Sequence, residues 1–168
     1  MLVALLVLPW LWGRSVIVVA PGDVGVLWRR ATGTDGDILL RAGRHLVWPW
    51  DRVYPYTLRP RMVHRTISAH CRDGGGVDVS LQVRFRLIEA TVAELHRSIG
   101  PDYLEKLLLP ELEAGVREVI GRLRRDAVTP GSLAEAEAKV RRQEASRRFV
   151  VIEELALGVA GERKRSPG

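Results

Sequence analysis

VDVSLQVRFRL, residues 77–87, is the stretch on which the fold turns. Val77, Val79, Leu81, Val83, Phe85 and Leu87 alternate with Asp78, Ser80, Gln82, Arg84 and Arg86. A period of two puts every apolar side chain on one face of an extended strand and every polar one on the other, so one face is buried and one is wet. A half-wet strand belongs to an antiparallel sheet rather than to a parallel one covered on both sides. Just upstream, MVHRTISAHC (62–71) reads as its partner, joined through RDGGG (72–76), whose glycines permit the positive φ of a hairpin.

Working towards the N-terminus, SVIVVA (15–20) and VGVLWRR (24–30) predict two strands separated by a turn at Pro21-Gly22-Asp23. ATGTDGD (31–37) has loop chemistry, and ILL (38–40) gives a brief strand before Arg41-Ala42-Gly43 turns the chain again. Towards the C-terminus the period becomes helical. TVAELHRSI (91–99) forms a short helix ending at Gly100. Beyond Pro101, Leu104, Leu107, Leu108, Leu112, Val116, Val119, Ile120 and Leu123 make one apolar stripe. Pro110 lies inside it, which predicts either a kink or two helices abutting at Leu109 with Pro110 in the first turn of the second. TPGS (129–132) precedes a third helix, Leu133 to about Phe149, charged and placed on the outside. FVVIEELALG (149–158) is a closing strand that returns to the sheet. The expected class is α+β.

The length of 168 residues suits one domain with appendages. We divide it into a hydrophobic segment 1–12, a domain over 13–157 and a basic disordered tail 158–168. A net charge of +6 ordinarily raises nucleic acid or an anionic membrane as a partner. The cations are scattered arginines, however, and RLRR (122–125) reads as part of a solvated helix face. Cys71 is the lone cysteine, so no intramolecular disulfide supports the fold.

MLVALLVLPWLW opens the chain without a charge, its apolar body being Leu2, Val3, Leu5, Leu6, Val7, Leu8, Trp10, Leu11 and Trp12. A helix of that length spans about 18 Å, short of the ~30 Å of a bilayer core. No basic residue precedes it, which argues for an anchor over a cleaved signal. Three readings stand: the end of a single-pass transmembrane helix, a monotopic insertion, or a first helix of the soluble core. Trp10 and Trp12 sit where an interfacial aromatic belt would be. The side of the membrane on which the domain lies is not legible.

HLVWPWDRVYPY (45–56) concentrates rings in a chain that is 6% aromatic. Trp28, Trp48, Trp50, Tyr54 and Tyr56 form a candidate membrane interface, each ring apolar on its face and hydrogen-bonding at one edge. The competing reading has Trp48 and Trp50 filling the core; two residues apart, they share one fate. A nucleic-acid platform would interleave cations along a groove, and this stretch does not, so nucleic acid is not an expected partner.

No serine lies in a Gly-x-Ser-x-Gly elbow, and no glycine-rich loop leads from a strand into a helix with a lysine to cradle phosphate. His64, His70 and Cys71 match no zinc spacing and read as surface strand residues. His96 reads as a partly buried polar residue near a helix C-terminus, where a cation is tolerated. Glu111, Glu113 and Glu118 stand at helical spacings from Arg117 and Arg122, with Glu113–Arg117 and Glu118–Arg122 as solvent-face ion pairs. We expect no catalytic residue, no metal and no cofactor.

VVAPGDVGVLWRR, GRHLVWPWDRVYPYTLRP, VDVSLQVRFRL with its hairpin, and LHRSIGPDYLEKLLLPELEAGVREVIGR together resemble the SPFH or band-7 domain of stomatins, prohibitins and flotillins. Each piece is weak alone; their order and spacing over residues 15–157 carry the resemblance. It implies a curved antiparallel sheet with helices packed on it, a membrane anchor before the first strand, and homo-oligomers or mixed assemblies with related SPFH proteins that delimit a patch of membrane. It also implies a non-enzymatic scaffold, in some relatives a regulator of a membrane-bound protease. Where the family continues into an Ala/Glu-rich coiled-coil helix this chain has only VAGERKRSPG (159–168), which implies truncation or a short member. The alternative to a scaffold is a tethered adaptor that binds a protease without forming a ring.

Overall fold

The computed structural model describes residues 15–30, 33–142 and 148–160. The segment 1–12 expected as an anchor, and all but the first three residues of the expected tail, lie outside them. None of the described helices is long and apolar enough to cross a membrane. The chain divides into two compact units, Met1–Arg59 with Leu87–Tyr103, and Pro60–Arg86 with Leu104–Gly168. The one curved sheet expected from the sequence is three separate antiparallel sheets.

In the first unit, β1 (Val16–Val19) pairs with β4 (Gly43–Leu46) as a two-stranded ribbon. β2 (Asp23–Arg29) is the centre of a sheet between β3 (Gly33–Leu40) and β5 (Arg52–Thr57). The turn from β1 into β2 uses Gly22 at φ 87°, where an L side chain is strained. Val19, Leu27, Leu40 and Val47 form a small core, with Ile17 and Val53 packed against it. Gly25 makes that closeness possible: a Cβ there would come within 2.6 Å of Val53 Cγ1. On the opposite face of β2, Val24 and Val26 are fully buried. There the helix α1 (Val92–Ser98) packs, entered by a 3₁₀ turn at Glu89–Thr91 and left through Gly100 at φ 92°. The loop expected over 31–37 is strand from Gly33 onward, because pairing to β2 overrides its turn-forming composition.

In the second unit β6 (Arg61–His70) and β7 (Gly76–Leu87) pair without a register shift from Arg61↔Phe85 to His70↔Gly76. The hairpin turns at Gly74, φ 80°. Asp73 accepts from the N–H groups of Gly75 (3.2 Å) and Arg125 (3.1 Å), tying the turn to a 3₁₀ segment at Arg125–Ala127. β8 (Val150–Val159) completes the sheet on the other side of β7. Its contacts run in reverse order along β7: Ala160 N–H to Asp78 O, Ser80 to Gly158, and Arg84 and Arg86 to Glu153.

The alternation of β7 is borne out, with Val79, Leu81, Val83 and Phe85 buried and Asp78, Gln82, Arg84 and Arg86 exposed. Residues Leu104–Leu108 form a π-helical turn that abuts α2 (Leu109–Ile120), with Pro110 in its first turn, the second of the two arrangements its position predicts. Leu108, Leu112, Val116 and Ile120 are fully buried, and α2 packs on β6. Thr129 caps α3 (Pro130–Val140): its hydroxyl accepts from Ser132 N–H, and Ser132 Oγ accepts from Thr129 N–H. α3 packs against α2 and β8, burying Leu133, Ala136 and Val140. It ends at Val140, well short of the expected Phe149, although its Ala/Glu/Arg-rich composition continues; Phe149 is buried just ahead of β8.

Candidate functional site

The β1–β4 ribbon has one face in the core and one in the open. Its register sets Val16 opposite Leu46 and Val18 opposite Arg44. Residues directly opposite in an antiparallel pair share a face, and Ile17 and Val19 point the other way into the core. The remaining face is open and, apart from Arg44, apolar, with Val16 42%, Val18 68% and Leu46 75% exposed. Beyond β4, Trp48 and Trp50 are 65% and 53% exposed and stack with centroids 5.0 Å apart and planes 11° from parallel. Between Leu46 and Trp48, Val47 is buried and its N–H bonds Ser15 O. A turn closed by Asp51 N–H to Trp48 O holds the ring pair.

The five rings singled out in the sequence therefore do not form one surface. Trp48 and Trp50 share a fate, which is exposure and not the core. Trp28, in β2 opposite Arg52, is half-buried. Tyr54 is half-buried and lies against His96, centroids 4.7 Å apart. Tyr56 is only 3% exposed and cannot face a lipid surface from there. Its place opposite the buried Val24 puts it on the inward face of β5, where its hydroxyl and His96 Nδ1 are hydrogen-bonded at 2.7 Å. Burial, with the Tyr103 and Asp102 charges beside it, holds the Tyr56 phenol well above the usual range. Burial also lowers the His96 pKa, favouring the neutral ring. The tolerance of a helix C-terminus for a cation is outweighed here by desolvation.

Three exposed residues that the sequence reading missed, Val16, Val18 and Leu46, belong with the tryptophans. A continuous β-branched run such as SVIVVA reads as a strand without showing which face is covered, and the two-stranded pairing reveals that one face is open. Leu2, Val3, Leu5, Leu6, Val7, Leu8, Trp10, Leu11 and Trp12 lie outside the described residues, immediately ahead of this ribbon in sequence.

The other titratable groups take structural places. His64 and His70 are exposed on β6, but Cys71 is buried, contrary to the surface position expected for it. Burial and the Asp73 charge push its thiol pKa up, away from the reactive thiolate. Glu113–Arg117 (3.0 Å) and Glu118–Arg122 (2.6 Å) are ion pairs on α2. Glu118 also accepts from Lys139 of α3 at 2.8 Å, and that bond is the main reason its carboxyl is held below the usual value. Among the described residues Glu111 pairs with neither arginine, and its buried Oε2 has no hydrogen-bond partner.

Two curated relatives align with part of the chain. Prohibitin-2 of Gallus gallus is 26% identical over 112 residues, and prohibitin-2 of Xenopus tropicalis 24% identical over 112 residues. Each alignment covers 65% of this chain and 36% of the relative, so the chain spans little more than a third of the proteins it resembles. The sequence matches the SPFH domain / Band 7 family over residues 17–155, from β1 into β8 and so across both units, and the chain belongs to that family.

Proposed function

We propose that this chain is a non-enzymatic, membrane-apposed scaffold whose ribbon face of Val16, Val18, Leu46, Trp48 and Trp50 rests in the bilayer interface. The supporting observation is that this face is open, predominantly apolar and followed by stacked indoles, a few residues after an uncharged run. Indole rings favour the headgroup boundary, where the ring is dry and the N–H is wet. In this reading the segment 1–12 anchors the chain, and copies of the chain or related SPFH proteins assemble to organise a membrane patch or regulate a membrane-bound protease.

Flotation of the full chain with lipid vesicles tests the contact. Burying a large apolar side chain is worth about 1.5–3 kcal/mol, so Trp48→Ala with Trp50→Ala weakens partition at least about tenfold, with circular dichroism unchanged. Unchanged partition overturns the assigned surface. The absolute mass of the detergent-extracted particle, by light scattering, tests assembly. Many copies per particle support the scaffold; a monomer, or a small complex with another protein, supports a tethered adaptor instead.

A further inference from the structure

We infer that the ribbon face, if it rests at the membrane as proposed above, selects anionic lipid headgroups through Arg44. Arg44 is the cross-strand partner of Val18 and stands two residues before Leu46, so it emerges on the same open face as Val16, Val18 and Leu46. It is exposed and makes no ion pair among the described residues. The neighbouring Arg41 is different, because its guanidinium is held by Glu89 at 3.0 Å and its charge is matched.

An arginine set among apolar side chains lays its methylene stem along them and lifts its guanidinium towards the polar boundary. When Val16, Val18 and Leu46 reach the acyl boundary, the stem of Arg44 shares their depth and its fork meets the headgroup layer. A guanidinium donates bidentately to phosphate and carboxylate oxygens. In a zwitterionic headgroup the choline cation offsets that attraction, whereas phosphatidylserine presents a net negative charge. The site is one arginine on an apolar platform and not a basic patch, so it gives a preference layered on hydrophobic insertion.

The test compares full-length chain on phosphatidylcholine vesicles and on vesicles in which about a quarter of the lipid is phosphatidylserine, where one arginine near the surface gives about a fivefold preference. Arg44→Gln removes that preference, weakening binding to the phosphatidylserine-containing vesicles more than binding to phosphatidylcholine vesicles; Arg44→Lys retains most of it; salt at about 0.5 M suppresses it. The inference is overturned if Arg44→Gln keeps the preference of the parent, if it loses binding to both vesicles alike, or if the parent binds both equally well. In the last case the membrane-apposed reading survives. If the parent binds neither vesicle, that reading falls too.

Discussion

The β6–β7 hairpin and the β1–β4 ribbon are both antiparallel pairs with one face in a core, yet they treat their open faces oppositely. On β7 the open face carries Asp78, Gln82, Arg84 and Arg86, and two of these arginines close on Glu153 of β8 at 3.3 Å. On the ribbon the open face carries Val16, Val18 and Leu46 beside a single charge, Arg44, with Trp48 and Trp50 beyond. A domain that uses polar residues wherever β7 meets water has no stability reason to set five large apolar side chains outward on a short ribbon. The difference separates a face made for solvent from a face made for something less polar.

The sharpest way to break the comparison is to exchange what each face is for. Phe85→Ala, on the buried side of β7, removes a fully buried ring and costs about 3–5 kcal/mol, read as a large fall in the thermal midpoint. A shift of less than a degree or two would mean that the inward side of β7 is not the core of its unit.

A smaller effect separates the Tyr56–His96 pair from the ribbon face. Burial lowers the His96 pKa below its ordinary 6.5, so the unfolded chain binds more protons than the folded one between those two values. Stability is complete above about pH 6.5 and declines as pH falls towards the lower, folded value. Thermal midpoints measured from pH 7.5 to 5.5 fall in the parent and stay flatter in His96→Gln; equal slopes would mean that this imidazole is not the titrating group. The smallest change is expected from Val18→Ser on the open ribbon face, about 0.5 kcal/mol or less. A loss like that of Phe85→Ala would show that Val18 is covered within the folded protein.

The sequence made some of this legible and hid the rest for physical reasons. β7 was readable because its two faces meet different solvents and its residues alternate accordingly. The break at Leu109 was readable because Pro110 removes an N–H that only a first helical turn can spare. β3 was hidden because Gly33, Thr34, Asp35, Gly36 and Asp37 favour turns, and only pairing to β2 at either end of the segment, through Gly33 and Thr34 and through Leu39 and Leu40, makes it a strand. The end of α3 at Val140 was hidden because the residues beyond it favour helix just as strongly. At the candidate site the indoles could be named from sequence, but not which rings stay outside. Tyr54 and Tyr56 have the same spacing as Trp48 and Trp50, and it is the opposition of Tyr56 to Val24 across β5 and β2 that puts its ring inside.

In water, away from any membrane, the ribbon is also the place where copies of the chain would stick to one another. With two strands both are edges, and no further strand covers them among the described residues; exposed apolar edges are templates for intermolecular pairing. Each strand has only four residues, a template of about 13 Å, and Arg44 lies within it as a charge that any strand laid across the face would have to bury. Shortness is thus a guard against aggregation, and lengthening the ribbon exposes the chain to it.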